Sequence, residues 1–348
     1  MKHTFPLIIF GVLFSTMSFA QTGGDNFAAL NQNFDARSIA VGGNAMLAWD
    51  NDVSKTIWNP ALLNKEMDQR VGIDYTSFPA SISFAQLYYS KYNKKWDMMQ
   101  SFVLQQAHYG TMTRTNEFGG IDGEFSPQDL ILSSAVSKKL NEQFQIGFQA
   151  KWILSGIDGF SANGFYTDFS SVFTTKNKTF LASLLVRNAG FIISNFSNTA
   201  NTRSPLEIQL SFSKKPEHMP VRFLFNIEQI QDPILTYTND PKLVEVNSLE
   251  NTTTINRPSF SQKLLRHMSL GAELVVSKNF HVRLGYDYGR RQELSLKDFE
   301  KSTGISWGFS LRVSKFNIQY GRSAYHVSGP ISSISIGCNL SSFKSKTI

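Results

Sequence analysis

The chain is poor in the features that mark a soluble enzyme. It has one cysteine, Cys338, in 348 residues, which excludes an intrachain disulfide. Beyond the first twenty residues no stretch is apolar for the ~18 residues that a spanning helix needs, so transmembrane helices are excluded. Charged residues make up 18%, below the usual level of about 25%. The net charge is +7, yet lysine and arginine are scattered, and no nucleic-acid motif is present. Six histidines stand far apart, none at metal-ligand spacing, so neither a metal nor a cofactor is expected. There is no nucleophile elbow, P-loop or dinucleotide fingerprint. The run Ser211-Phe212-Ser213-Lys214 has the spacing of a penicillin-interacting serine, but it ends an alternating strand and has no S-D-N partner. Asp50-Asn51-Asp52 lacks the following glycine and distal glutamate of a calcium loop, and reads as a solvated acidic turn. Nothing in the chain supports catalysis.

Aromatics and alternation are what the chain has in abundance. Aromatic residues reach 13%, with 29 phenylalanines. In the last quarter, Ile305, Trp307, Phe309, Leu311 and Val313 alternate with Ser306, Gly308, Ser310 and Arg312. Phe280, Val282, Leu284 and Tyr286 alternate with His281, Arg283 and Gly285, and Met268, Leu270, Ala272 and Leu274 alternate with Ser269, Gly271 and Glu273. A period of two is a strand with one apolar and one polar face. The polar face here carries a few charges among small glycines and serines, and the apolar face carries large aromatics. That division suits a wall facing lipid on one side and a filled lumen on the other. Cys338 falls on the apolar face of the last strand.

Lys2 and His3 precede an apolar run over residues 5–14, and Ser18-Phe19-Ala20 supplies small residues for cleavage, so residues 1–20 read as a secretory signal peptide. Residues 21–69 do not alternate. Gly42-Gly43 permits a tight turn or a close approach, and Pro60 suits a first helical turn with Asn59 as its cap. This segment reads as an arm or hatch inside a barrel. Residues 70–348 then hold about fourteen strands. Short turns, as at Tyr92-Asn93-Lys94 and Leu140-Asn141-Glu142, alternate with longer connections at 107–129, 155–164, 190–205, 229–266, 289–304 and 322–330. Only the first link, 76–80, is short on the long side. The expectation is an all-β fold: a transmembrane antiparallel β-barrel of about 14 strands with an N-terminal hatch, in the outer membrane of a Gram-negative bacterium.

Two patches carry a resemblance. Residues 36–45 (with Arg37, Gly42 and Gly43) and Asn59-Pro60-Ala61-Leu62 resemble the hatch of the FadL-like family, the fourteen-stranded barrels of long-chain fatty acid transporters. Within that family the chain is most similar to the PorQ-like components of the type IX secretion system of the Bacteroidetes. The carrying residues are Asn59 to Asn64 before Glu66-Met67-Asp68, and the turn at 213–223 with His218, Pro220, Arg222 and Phe223. The resemblance implies a non-enzymatic outer-membrane anchor, embedded in lipid and lipopolysaccharide. It implies PorZ, PorU and PorV as partners in a surface complex that attaches secreted cargo. The other reading it leaves open is a FadL-like transporter of hydrophobic small molecules.

Overall fold

The computed structural model describes residues 27–32, 34–43, 47–196, 204–232, 235, 244–247, 252–255, 259–294, 302–326 and 328–343. The expected signal peptide lies outside the described residues. The strands in chain order are β1 (Arg70–Ser77), β2 (Ser83–Asn93), β3 (Met98–His108), β4 (Met112–Thr115), β5 (Ile121–Phe125) and β6 (Gln128–Lys139). They continue as β7 (Phe144–Ile157), β8 (Phe160–Thr174), β9 (Phe180–Ser194), β10 (Glu207–Lys214), β11 (Val221–Ile227), β12 (Val244–Asn247) and β13 (Thr252–Ile255). The last five are β14 (Met268–Val275), β15 (Phe280–Asp287), β16 (Ile305–Val313), β17 (Phe316–His326) and β18 (Gly329–Asn339). Fourteen of them close a barrel; β4–β5 and β12–β13 are separate two-stranded sheets. Every neighbouring pair in the barrel is antiparallel, and β1 closes on β18, from Arg70 opposite Asn339 to Ser77 opposite Ser332. Closure leaves no unpaired edge, as a wall in lipid requires.

The alternation in the sequence is the alternation of the wall. On β15 and β16, Leu284, Trp307 and Leu311 are exposed, whereas Arg283, Ser306 and Ser310 are buried. Ile73, Tyr75, Phe102, Trp152, Phe169 and Ile336 continue the exposed apolar belt around the circumference. A continuous apolar outer face on a closed barrel with a polar inner face is an outer-membrane protein. Short turns then mark the periplasmic end and long connections the outer end. Among the described residues no helix is long and apolar enough to cross a membrane; the spans are strands.

The structure corrects the length of several connections. The expected loop at 155–164 is a tight turn at Asp158-Gly159, because β7 and β8 run on to Ile157 and from Phe160. The loop expected at 322–330 shrinks likewise, as β17 and β18 reach His326 and Gly329. Both stretches keep β-forming residues past the apolar core, so pairing continues above the membrane. The connection at 107–129 is itself a hairpin, β4–β5, and that at 229–266 holds β12, β13 and a helix, α2 (Phe260–Arg266). Strands β7 to β9 have 14 or 15 residues, whereas β10, β11, β14 and β15 have 7 or 8, so one side of the barrel stands taller. Where β9 meets β8 the register slips, and Arg187 and Asn188 both turn inward.

Candidate functional site in the lumen

The described part of the N-terminal segment, residues 27–67 apart from the gaps, packs against the inward faces of the strands. It begins in the outer half of the barrel, where Phe27, Leu30 and Phe34 are buried. A short helix, α1 (Ala36–Ala40), follows, capped by the Asp35 carboxylate accepting from the Ser38 N–H at 2.9 Å. The Ala36 N–H donates to Ser335 Oγ on β18 at 3.0 Å. Gly42 turns the chain with φ +73, and a Cβ there would meet Ser306 Oγ at 2.9 Å. Gly43 lies against Asn226, whose Nδ2 a Cβ would meet at 2.5 Å. At the other end Asn59 caps a 3₁₀ turn over Pro60–Leu62, as Pro60 at the first position favours, and its Nδ2 donates to Ser183 Oγ at 2.7 Å. The Ala61 N–H donates to Ser170 Oγ at 2.8 Å. Wall glycines leave room for this: a Cβ at Gly147 would lie 2.2 Å from the Ala61 nitrogen, and one at Gly285 would lie 2.0 Å from the Val41 carbonyl carbon.

A charge network fixes the segment to the wall. Glu273 on β14 is fully buried, and Arg37 is 3% exposed. Arg37 Nη2 donates to Glu273 Oε1 at 3.0 Å, Arg37 Nη1 to Asp52 Oδ2 at 3.1 Å, and Nη2 reaches Asp50 Oδ2 at 2.8 Å. Arg283 Nε donates to Glu273 Oε1 at 2.9 Å, and Arg222 also pairs with Glu273. Lys55 lies 2.5 Å from Asp50, and Gln319 Nε2 donates to Asp52 at 2.8 Å. Asp50-Asn51-Asp52 is therefore not a solvated acidic turn: both of its carboxylates face Arg37, and Asp50 also meets Lys55. Burial alone would raise the Asp50 and Asp52 carboxyls, but Arg37 and Lys55 outweigh it and hold both below the usual range. Burial pulls the Lys55 ammonium down to about 8, with Asp50 opposing it.

A second network sits at the register slip. Lys151 lies 2.7 Å from Asp168 and donates to Asn188 Oδ1 at 2.6 Å; Arg187 pairs with Glu207 at 2.9 Å. Arg187 also donates to the Leu30 carbonyl at 2.8 Å and stacks over the Trp58 ring at 3.4 Å, so this network too grips the segment.

Apolar wall side chains turn inward at several places: Tyr88, Met99 and Val103 meet Val53, Ile57, Leu63 and Met67, Val172 and Leu181 meet Leu47, Ala61 and Leu62, and Leu224 meets Val41. In the outer half Phe84, Ala107, Ile131, Ile153, Ala162 and Tyr166 form a chamber, and Phe27, Leu30 and Phe34 fill it. Phe34 stacks on Phe84 at 4.7 Å between ring centroids, and Phe27 meets Tyr166 edge-on at 6.1 Å. The spaces left between segment and wall are small, about 50 Å³ beside Arg37 and Gln319 and about 10 Å³ beside Leu30 and Trp58. A cleft of about 360 Å³, lined in part by Trp49, Leu63 and Met99, opens at the periplasmic mouth. Larger clefts, about 530 Å³ beside Phe102 and Trp152 and about 490 Å³ beside Phe212 and Phe225, are dents in the lipid-facing wall.

Of the residues singled out by resemblance, Arg37, Gly42, Gly43, Asn59, Pro60 and Ala61 all lie in the lumen. Arg222 joins them through Glu273. His218 and Pro220 lie exposed in the β10–β11 turn, and Phe223 faces lipid, so the structure does not gather that patch into one site. Sequence reasoning missed Asp50 and Asp52 as partners of Arg37, Lys55 as a partner of Asp50, and the whole Lys151–Asp168–Arg187–Glu207 group. The latter was detectable: each of the four is a charge on the polar face of an alternating strand. Among the described residues no cluster of three or more metal-ligating side chains occurs.

No family model matches the chain, and no curated protein matches it in sequence. Solved structures do match in shape. The toluene transporter TodX of Pseudomonas putida superposes with a TM-score of 0.52 at 11% identity, over 88% of this chain and 96% of that one. The monoaromatic hydrocarbon channel CymD superposes with a TM-score of 0.54 at 12% identity, over 88% of this chain and 98% of that one. Both are transport channels rather than enzymes. The fold of this chain is thus that of the FadL-like, fourteen-stranded outer-membrane barrels.

Proposed function

We propose that the barrel passes hydrophobic small molecules across the outer membrane, and that the arrangement described is its closed state. The observation that carries this reading is the aromatic-lined apolar chamber in the outer half of the lumen. Phe84, Ile131, Ile153 and Tyr166 point away from lipid, where wall stability alone calls for small or polar groups. Phe27 and Phe34 occupy it as an aromatic ligand would, each ring against a wall ring. TodX is described as a toluene transporter and CymD as a monoaromatic hydrocarbon channel, which fits a chamber of this kind. The test is equilibrium binding of radiolabelled toluene and of a long-chain fatty acid to the purified protein. Phe27→Ala with Phe34→Ala should tighten binding, and Ile131→Asp with Ile153→Asp should abolish it. Absence of binding by the Phe27→Ala, Phe34→Ala variant would refute the reading.

A second reading is favoured by the lumen itself, which two charge networks lock. In it the barrel conducts nothing and serves as the anchor of a surface complex. By resemblance the complex is that of PorZ, PorU and PorV, which attaches cargo to lipopolysaccharide. Loss of the gene should then release the surface partner and leave cargo in the medium, with toluene and fatty-acid uptake unchanged. Normal cargo attachment in that strain would sink this second reading.

A further inference from the structure

At the outer end, β4 and β5 form a hairpin that belongs to no other sheet. Its tip is a built turn. The Asn116 N–H donates to the Gly120 carbonyl at 2.8 Å, and the Asn116 side chain accepts from the Phe118 N–H at 3.0 Å and the Gly120 N–H at 2.8 Å. Gly119 supplies the left-handed backbone with φ +78. This fixed turn holds Phe118 95% exposed and Ile121 78% exposed. The hairpin is tied down at the turn between β7 and β8, where Arg114 Nε donates to Asp158 Oδ2 at 3.0 Å and a second guanidinium nitrogen makes the pair bidentate. Beside Asp158, Phe160 is 64% exposed. With Arg114 engaged by Asp158, the remaining charges of the hairpin are Glu117, Asp122 and Glu124, all exposed.

We propose that this hairpin is a docking finger for a surface protein whose receiving face is an apolar pocket bordered by lysine or arginine. An aromatic and a branched aliphatic side chain held bare on a hydrogen-bonded turn have the character of interface anchors. The three carboxylates fix the chemistry of the occupant. They repel the anionic headgroups of the outer leaflet, and they repel the same hairpin on a second copy. A basic rim around an apolar pocket answers both features. The proposal goes beyond transport and stands on the hairpin alone, so it holds for either reading of the lumen.

The test places a photo-crosslinking phenylalanine analogue at position 118 of the full-length protein in intact cells of its own host, with the lipid-facing position Phe102 as control. The expected result is one protein adduct specific to position 118, with the cross-linked peptide flanked by lysine or arginine. That partner, purified, should bind the detergent-solubilised barrel. Phe118→Ser with Ile121→Ser should weaken binding about tenfold or more, as a lost hot spot does. Glu117→Lys with Asp122→Lys and Glu124→Lys should do the same, and added salt should weaken the wild-type complex. Heat-modifiability on gels confirms that each variant barrel is folded. Cross-linking to lipopolysaccharide or to a second copy overturns the proposal, as does no adduct, or a partner whose binding ignores the tip replacements. Toluene uptake by Phe118→Ser, Ile121→Ser should equal wild type, which separates a failure here from a failure of the transport reading.

Discussion

Replacing Arg37 with methionine tests whether charge holds the N-terminal segment in place. Methionine keeps the aliphatic length and removes the guanidinium, so packing is largely conserved. In the wild type that guanidinium meets Glu273, Asp52 and Asp50, and it is 3% exposed. Removing one member of a buried charge group costs about 3–5 kcal/mol, because the partners stay buried without it. Here the lower end applies. Glu273 keeps Arg283 and Arg222, Asp50 keeps Lys55, and Asp52 keeps Gln319. A loss of about 3 kcal/mol lowers the ratio of docked to undocked segment by about a hundredfold. The outer wall does not depend on Arg37, so the barrel should remain heat-modifiable. Limited proteolysis should then cut within residues 34–43, and conductance in planar bilayers should rise. Glu273→Gln should be worse, since it leaves Arg283 and Arg222 without their carboxylate and takes one of three from Arg37. The double variant should cost less than the sum of the two single variants. If Arg37→Met keeps both full protection and wild-type conductance, the network does not hold the segment.

Three further outcomes follow from the same geometry. Gly285→Leu should expel the turn at Val41 and Gly42 while the wall still folds, read as new protease cleavage near residue 42; unchanged protection would contradict the close approach. Phe309→Arg, on the lipid face between Val282 and Tyr320, should cost about 2–4 kcal/mol in equilibrium unfolding. Tolerance of it, with folding lost in Ser310→Arg, would invert the face assignment. Lys151→Met should lower stability by about 3–5 kcal/mol by stranding Asp168, and adding Asp168→Asn should recover most of the loss. No recovery would mean that the pair acts through packing rather than charge.

Strand number and faces were legible in the sequence because a membrane wall leaves a period-two record. Each outward position must suit lipid and each inward position must not, so Trp307 against Ser306 or Leu284 against Arg283 could be assigned from type alone. The glycine turn at Gly42 and the cap at Asn59 were legible for a different reason: few residue types meet those backbone demands. Strand ends above the membrane were not legible. At Ile157 and Phe160 the lipid constraint stops, and ordinary β-propensity extends the pairing. The lumen partners were not legible either. Whether Asp50 and Asp52 face water or Arg37 depends on how a non-repeating segment folds back on itself, and no periodicity records that. Glu273 and Arg37 lie 236 residues apart, and only barrel closure brings them together.

The N-terminal segment touches the wall almost all the way round. It bonds to Ser335 on β18, Glu273 on β14, Ser183 on β9, Ser170 on β8 and Gln145 on β7. It therefore behaves as a mandrel on which the sheet is rolled. Backbone pairing between adjacent strands fixes only local neighbours, and by itself it tolerates a barrel of more or fewer hairpins. A core that must reach opposite walls at hydrogen-bond distance sets the circumference. Insertion of one extra hairpin would widen the ring and pull Ser335 or Ser183 out of reach. The strand count of this protein is therefore tied to a stretch of chain that contributes no strand to the wall.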